Sequence, residues 1–352
     1  MKVLHCPTSV GGNAWGLASA ERKIGINSTV LIYKDTWLGF PYDINLHFDK
    51  TNKLKRHLLM WDTLIKAIKD YDIIHFNFGQ SLISNERFRL FHLDMAILKK
   101  FRKGIVITYQ GSDVRQIDYC VKHYEISPYS QEDISYADNI KREKVKIANK
   151  YADRIYALNP DLLNVLPERS EFRPYSKLDL SKWSTDEVSD YNKEILTIAH
   201  APTNRKIKGT NHIIDTINRL KDEGYPIEFL LIENIPNDRV MEIYKKADLF
   251  IDQLLIGWYG GVALEFMALS KPVFAYIRDE DLKYIPIEMC REIPIINSNP
   301  NNLYNNLKYC LKHRDYLQEK AIGSRKYVEK WHNPIKIAQR MKVAYEEILN
   351  KR

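Results

Sequence analysis

Short apolar runs alternate with longer amphipathic ones along the whole chain. "KVLHC" (2–6), "NSTVLIY" (27–33), "DIIHFNF" (72–78), "GIVITY" (104–109) and "ADRIYAL" (152–158) are brief, β-branched and bounded by polar segments, as buried strands are. "KEILTIAH" (193–200), "IEFLLIE" (227–233), "DLFIDQL" (248–254) and "KPVFAYI" (271–277) repeat the pattern later. Between several of them lie helix-period stretches of ten to twenty residues, such as "LKRHLLMWDTLIKAIKDY" (54–71). "GLASAERKIG" (16–25) reads as a helix ending on glycine. This alternation predicts an α/β fold with parallel sheets covered by helices on both faces.

The rhythm breaks at "PERSEFRPYSKLDLSKW" (167–183), which has two prolines, many charges and no period. It reads as the link between two α/β domains, 1–174 and 175–334. Residues 127–150 are polar with few strand signals and read as an insertion before the last strand of the first domain. The tail from Ser324 is one amphipathic helical stretch broken at "WHNP", and its last part, about 335–352, is expected to pack back on the first domain.

Composition adds limits. A chain of 352 residues, 45% hydrophobic and 28% charged, has material for two cores. No apolar run approaches a membrane span, and the polar N-terminus does not read as a secretory signal. A cytoplasmic protein is expected. Cys6, Cys120, Cys290 and Cys310 lack CxxC spacing, which argues against zinc or a disulfide framework. The net charge of +8 suits an anionic small substrate, an acidic membrane surface or nucleic acid. No helix-turn-helix pattern or aromatic-studded basic run is present, so nucleic acid is not expected as a partner. Basic amphipathic stretches, "KTNKLKRHLLMWDTLIKAIK" (50–69 with Lys50 first) and "ILKKFRKG" (97–104), leave peripheral contact with the inner face of a membrane in view.

The stretch with most chemistry is "GWYGGVALEFMALSKPV" (257–273). A glycine-rich turn entering a helix presents backbone N–H groups at the positive end of the helix dipole, which suits phosphate. Gly260 and Gly261 allow close approach of a ligand to the backbone, with Gly257, Tyr259 and Val262 around them. Glu265, about one turn in, can accept hydrogen bonds from two adjacent hydroxyls, as in a ribose diol. Phosphate and diol together describe a nucleotide diphosphate; a packing turn with a stray paired acid is the plainer alternative. "HAPTNRKIKGTNHII" (200–214) follows a strand and carries Arg205 and Lys208 where ligands meet open α/β sheets. By composition alone it is a solvated basic turn. "SVGGNAWGL" (9–17) is not GxGxxG, but Gly11, Gly12 and Asn13 open the first helix after the first strand. "TYQGSDVRQ" (108–116) gathers Gln110 and Asp113 at another strand end, and His75 is expected to pack inside its strand. "RDED" (278–281) reads as a polar turn rather than a metal motif.

Together these pieces resemble the retaining GT-B glycosyltransferases, glycosyl transferases group 1, or family 4. The resemblance is strongest over "DQLLIGWYGGVALEFMALSKPV" (252–273), which is similar to that family's acid–seven–acid segment. It implies two Rossmann-like domains facing one cleft, the nucleotide-sugar donor on the second and the acceptor on the first. Glu265 takes the place of the acid implied to hold the donor ribose, and Gly260–Gly261 that of the loop meeting the diphosphate. Arg205 and Lys208 resemble the diphosphate clamp. Where the family has an acid that holds sugar hydroxyls this chain has Gly257, and where a histidine commonly faces the transferred sugar it has Gln110. The implied function is metal-independent transfer, without a cofactor, from a nucleotide-diphosphate sugar, UDP-linked by family frequency, to a glycan, lipid-linked or small-molecule acceptor. Arg205, Lys208 and Gln110 would be the catalytic residues. The two departures keep open a nucleotide-sugar-binding scaffold of polysaccharide or envelope assembly.

Overall fold

The computed structural model describes residues 1–183, 189–237 and 239–351. The chain forms two compact units: Met1–Tyr119 with Ile134–Lys177 and Pro334–Arg352, and Cys120–Asp133 with Leu178–Asn333.

The first unit is built on seven strands: β1 (Lys2–Cys6), β2 (Asn27–Ile32), β3 (Ile44–Asn45), β4 (Ile73–Asn77), β5 (Gly104–Tyr109), β6 (Arg154–Ala157) and β7 (Glu171–Phe172). All are parallel, in the order β3-β2-β1-β4-β5-β6-β7. Successive residues feed opposite layers, because side chains alternate along a strand. Leu4, Ile74, Ile105 and Ile107 face one core, with Leu64, Met95, Leu98 and Ala148 from helices. Their neighbours Val3, Ile73 and Val106 face the other, with Leu17, Ala20, Met341 and Tyr345. Both sheet faces are thus covered, which is why these strands read as continuous apolar runs. The helix Pro334–Asn350 closes the second layer, and its Tyr345 hydroxyl bonds His75 Nδ1 at 2.8 Å and Glu21 Oε1 at 2.9 Å. His75 is fully buried within β4, as its sequence setting predicts.

The second unit carries β8 (Leu196–His200), β9 (Ile227–Leu231), β10 (Leu249–Ile251), β11 (Val273–Ala275) and β12 (Ile296–Asn297), parallel in the order β12-β11-β10-β8-β9. One core layer joins Ile198, Ile251 and Phe274 to the helices Thr210–Asp222 and Leu303–Lys312. On the other face Phe266 of the helix Gly261–Ala268 stacks on Phe250 with ring centroids 4.2 Å apart. In each unit the strand order reverses once, at β1 in the first and β8 in the second. In open parallel sheets the crevice beyond the carboxyl ends at that reversal is where ligands bind.

Three details differ from the sequence expectation. The link at 167–183, within which the two units divide after Lys177, is regular in part: it contains strand β7 and the buried side chains of Arg173 and Trp183. The polar stretch 127–150 is largely the helix Ala137–Tyr151, whose Val145 and Ala148 join the core on the sheet. The tail helix begins earlier, at Arg314, and runs to Trp331 before the break. No described helix is long and apolar enough to cross a membrane.

Candidate functional site

In the second unit the reversal lies between β8 and β10, and the predicted residues gather beyond it. His200 closes β8, fully buried, its Nδ1 2.7 Å from the Ile251 carbonyl and its Nε2 2.9 Å from Thr210 Oγ1. Burial lowers its pKa to about 4, so the ring is neutral and ties β8 to β10. The chain then turns through Asn204, whose side chain caps the single turn Arg205–Lys208 by accepting from Ile207 N at 3.1 Å. Gly209, at φ 74°, ends that turn and starts the helix Thr210–Asp222.

Lys208 Nζ meets Asp252 Oδ1 at 2.6 Å, and Gly260 N donates to Asp252 Oδ2 at 2.5 Å. A cation and the N-cap amide of a helix therefore converge on one carboxylate. A Cβ at Gly260 would stand 3.0 Å from Lys208 Nζ and 3.2 Å from Asp252 Oδ2, so a side chain there would press on this ion pair. The Gly260 backbone is extended, at φ −96° and ψ 178°, so the glycine serves close approach rather than a left-handed turn. Gly260, Gly261 and Val262 are half-buried, while nearly every other residue from Asp252 to Leu269 is buried. The helix start is the part of this segment that reaches solvent.

Asp252 was missed in the sequence, although it ends an apolar run where a sheet-edge ligand residue belongs. It is fully buried. The anion site predicted at Lys208 and Gly260 is thus filled by the chain's own carboxylate. Arg205 is also engaged: it grips Glu233 with Nε at 2.8 Å from Oε1 and with Nη2 on Oε2, and this pairing holds Glu233 below the usual carboxylate range. Glu265 is buried one turn into the helix, and its Oε1 accepts from Asn237 Nδ2 at 3.2 Å.

Two predicted residues turn away from this group. Tyr259 is fully buried, its hydroxyl 2.9 Å from Tyr327 Oη and 2.8 Å from His332 Nε2, which anchors the loop to the helix Arg314–Trp331 and the turn after it. Gly257 sits at φ 88°, and a Cβ there would lie 2.7 Å from Arg278 Cζ. Arg278 is buried, paired with Asp281 at 2.9 Å, and stacked on Tyr124 at 3.5 Å from the ring centroid. The space an acidic side chain would need at 257 is occupied by a guanidinium. The same pair accounts for "RDED" as a structural turn, and no cluster of metal-binding side chains occurs among the described residues.

In the first unit Gly11 and Gly12 take φ 61° and 70° between β1 and the helix Asn13–Lys23. Asn13 Nδ2 donates to Gln110 Oε1 at 3.2 Å, joining the ends of β1 and β5. Asp113 accepts from Gln110 N at 3.1 Å and Gly111 N at 2.6 Å, and Asn159 Nδ2 donates to the Gln110 carbonyl at 2.6 Å. Burial pushes the Asp113 carboxyl up to about 6. Asp113 thus shapes the turn that presents Gln110. Ser9 Oγ, Asn13 Oδ1, Tyr109 Oη and Gln110 Nε2 are buried with no partner among the described residues. Buried polar atoms are nearly always satisfied, so this edge has hydrogen-bonding capacity left for a polar ligand.

No protein-family model matches the chain, and no curated protein matches it in sequence. Solved structures do. The Anabaena protein HepE, crystallised with UDP and with UDP-glucose, is 14% identical with a TM-score of 0.63 over 99% of this chain and 100% of its own. The sucrose-phosphate synthase of Thermosynechococcus elongatus is 14% identical with a TM-score of 0.59 over 100% and 99%. The UDP-GlcNAc 2-epimerase of Neisseria meningitidis, bound to UDP-GlcNAc, is 13% identical with a TM-score of 0.53 over 99% and 100%. At such identities the likeness concerns the fold, and the fold of this chain is the two-sheet α/β GT-B architecture that these structures share.

Proposed function

We propose that this chain is a retaining glycosyltransferase that moves a sugar from a UDP-sugar to a glycan, lipid-linked or small-molecule acceptor without a metal. The observation that carries the reading is the meeting of Lys208 Nζ and Gly260 N on one anion at the β8–β10 reversal, with Glu265 one turn further on. Such a pair of donors suits a diphosphate, and the buried acid suits the ribose diol beside it. Neighbours of the same fold are crystallised with UDP or UDP-sugars, which favours UDP. The acceptor is assigned to the first unit, where the unpartnered atoms of Ser9, Asn13 and Gln110 offer hydrogen bonds to hydroxyls. Lys208, Arg205 and the helix start meet the charge that grows on the leaving diphosphate, as preorganised electrostatics. The departing phosphate oxygen takes the acceptor proton, so no separate base is needed. This reading makes the protein cytoplasmic, and a lipid-linked acceptor would call for contact with the inner face of a membrane.

The second reading, a nucleotide-sugar-binding scaffold, draws on Glu233 and Asp252, which already neutralise both cations, and on the guanidinium beside Gly257. Release of UDP from UDP-sugars, followed with and without chelator, separates the two. Turnover in chelator, with the anomeric configuration retained in the product by NMR, is the expected result. Binding without any turnover, hydrolysis included, would favour the scaffold. Activity that returns only with Mn²⁺ or Mg²⁺ would rule out the mechanism.

A further inference from the structure

The helix Lys53–Asp70 has a buried face and, apart from it, an exposed apolar stripe. Thr63, Leu64 and Ala67 are buried against the sheet. Leu54, Leu58, Trp61 and Ile65 are 71%, 63%, 44% and 49% exposed. At 3.6 residues per turn these four fall within an arc of roughly 60°, turned away from Thr63 and Ala67. A continuous stripe of large apolar side chains in water is the mark of an interaction surface, whereas single exposed ones are ordinary.

Charge identifies what covers it. The same helix exposes Lys53, Lys55, Lys66 and Lys69 and carries half-buried Arg56 on its other side, against Asp70 and Asp62, the latter paired with Lys66 at 2.7 Å. Beyond its end, Lys103 Nζ donates to the Tyr71 carbonyl at 2.7 Å, which brings the turn 99–103 alongside. That turn presents exposed Phe101 between Lys100 and Arg102, both exposed. Apolar residues flanked by cations match the boundary of an anionic bilayer, where the hydrocarbon region takes the stripe and the headgroups take the charge. Two copies of this face would bring like charges together, which disfavours self-association.

We propose that the stripe Leu54–Leu58–Trp61–Ile65, with the turn 99–103 beside it, seats the first unit on an anionic membrane surface. The inference gives the membrane contact proposed above its location, and its test needs neither donor nor catalysis. Full-length protein is sedimented with vesicles of phosphatidylcholine alone, and of phosphatidylglycerol and phosphatidylcholine in roughly equal parts. Binding is expected only to the anionic vesicles, falling severalfold when salt shortens the screening length. The double variant Leu58→Glu/Trp61→Glu should bind at least about tenfold less, since it loses apolar contact and gains like charge. These side chains are exposed, so the variant should keep the wild-type melting temperature; Lys55→Glu/Lys69→Glu supplies a second variant that leaves the stripe intact and should weaken binding similarly. Wild-type protein that ignores anionic vesicles, or variants that bind as well as wild type, would overturn the proposal. So would a dimer in sedimentation velocity that the stripe variant dissociates, because the face would then belong to a second copy.

Discussion

Asp252→Asn separates the roles of the carboxylate at the sheet edge. Asp252 joins Lys208 and the Gly260 amide at 2.6 and 2.5 Å, in a setting where the Lys208 side chain is 11% exposed and that of Asp252 1%. Asparagine keeps an oxygen for Gly260 N but removes the charge that balances Lys208. Breaking a buried ion pair from one side costs about 3–5 kcal/mol, because the remaining charge is left uncompensated. The unliganded variant should therefore unfold at lower denaturant by that amount. If the same donors receive a diphosphate, the variant has lost the competing anion. UDP should then bind more tightly than to wild type, by the worth of one charged hydrogen bond, about 1.5–3 kcal/mol, or roughly ten- to a hundredfold. Calorimetric titration of both proteins with UDP gives the comparison, and denaturation with and without UDP shows whether the nucleotide restores the lost stability. A folded variant with unchanged or weaker UDP affinity would refute the reasoning and leave the Lys208–Asp252 pair as a structural link.

Glu265→Gln should weaken UDP binding about ten- to a hundredfold with little change in stability, measured by titration and thermal melting, because one charged acceptor is lost in a near-isosteric swap. Gly257→Ala should cost about 2 kcal/mol or more in chemical denaturation, since φ 88° disfavours a side chain and the Cβ meets Arg278 at 2.7 Å. Arg205→Ala should lower turnover about a hundred- to a thousandfold, and more than donor binding, if the charge it meets is larger in the transition state. Burial lowers the His200 pKa from 6.5 to about 4, so the unfolded chain takes the proton more readily. The neutral ring contributes stability that is present above about pH 6.5 and is lost as pH falls toward 4. His200→Gln should remove about 3 kcal/mol from that slope in pH-dependent denaturation.

The sequence carried the fold through its apolar runs, and the strands it did not reveal share one property. β3, β7 and β12 have two residues each and form edges of the two sheets. Two residues cannot display a period, and an edge needs fewer apolar contacts than a buried centre. The helix Ala137–Tyr151 was hidden for a related reason, since one narrow apolar face lies among lysines and asparagines. At the candidate site, the glycine turn, Lys208 and Glu265 were visible as residues at strand ends and helix starts. Asp252 was not, because a single acid at the end of an apolar strand has no spacing to set it apart until the fold brings Lys208 and Gly260 to it. Gly257 looked like the absence of an acid. The structure assigns it a steric cause, the Arg278 guanidinium packed against its α-carbon. Tyr259 sits next to the turn in sequence, yet alternation of direction along the loop sends its ring toward Tyr327 and His332.

The central claim is that the second unit holds a nucleotide diphosphate at Lys208, Gly260 and Glu265. Thermal melting of the full-length protein against UDP-, GDP-, ADP- and TDP-sugars tests it directly, because a ligand bound only by the folded state adds about 2.7 kcal/mol at a hundred times its dissociation constant. The account predicts a rise in melting temperature with UDP-sugars that is lost in Lys208→Met and much reduced in Glu265→Gln. No rise with any nucleotide sugar at millimolar concentration, or an equal rise in wild type and both variants, would contradict it.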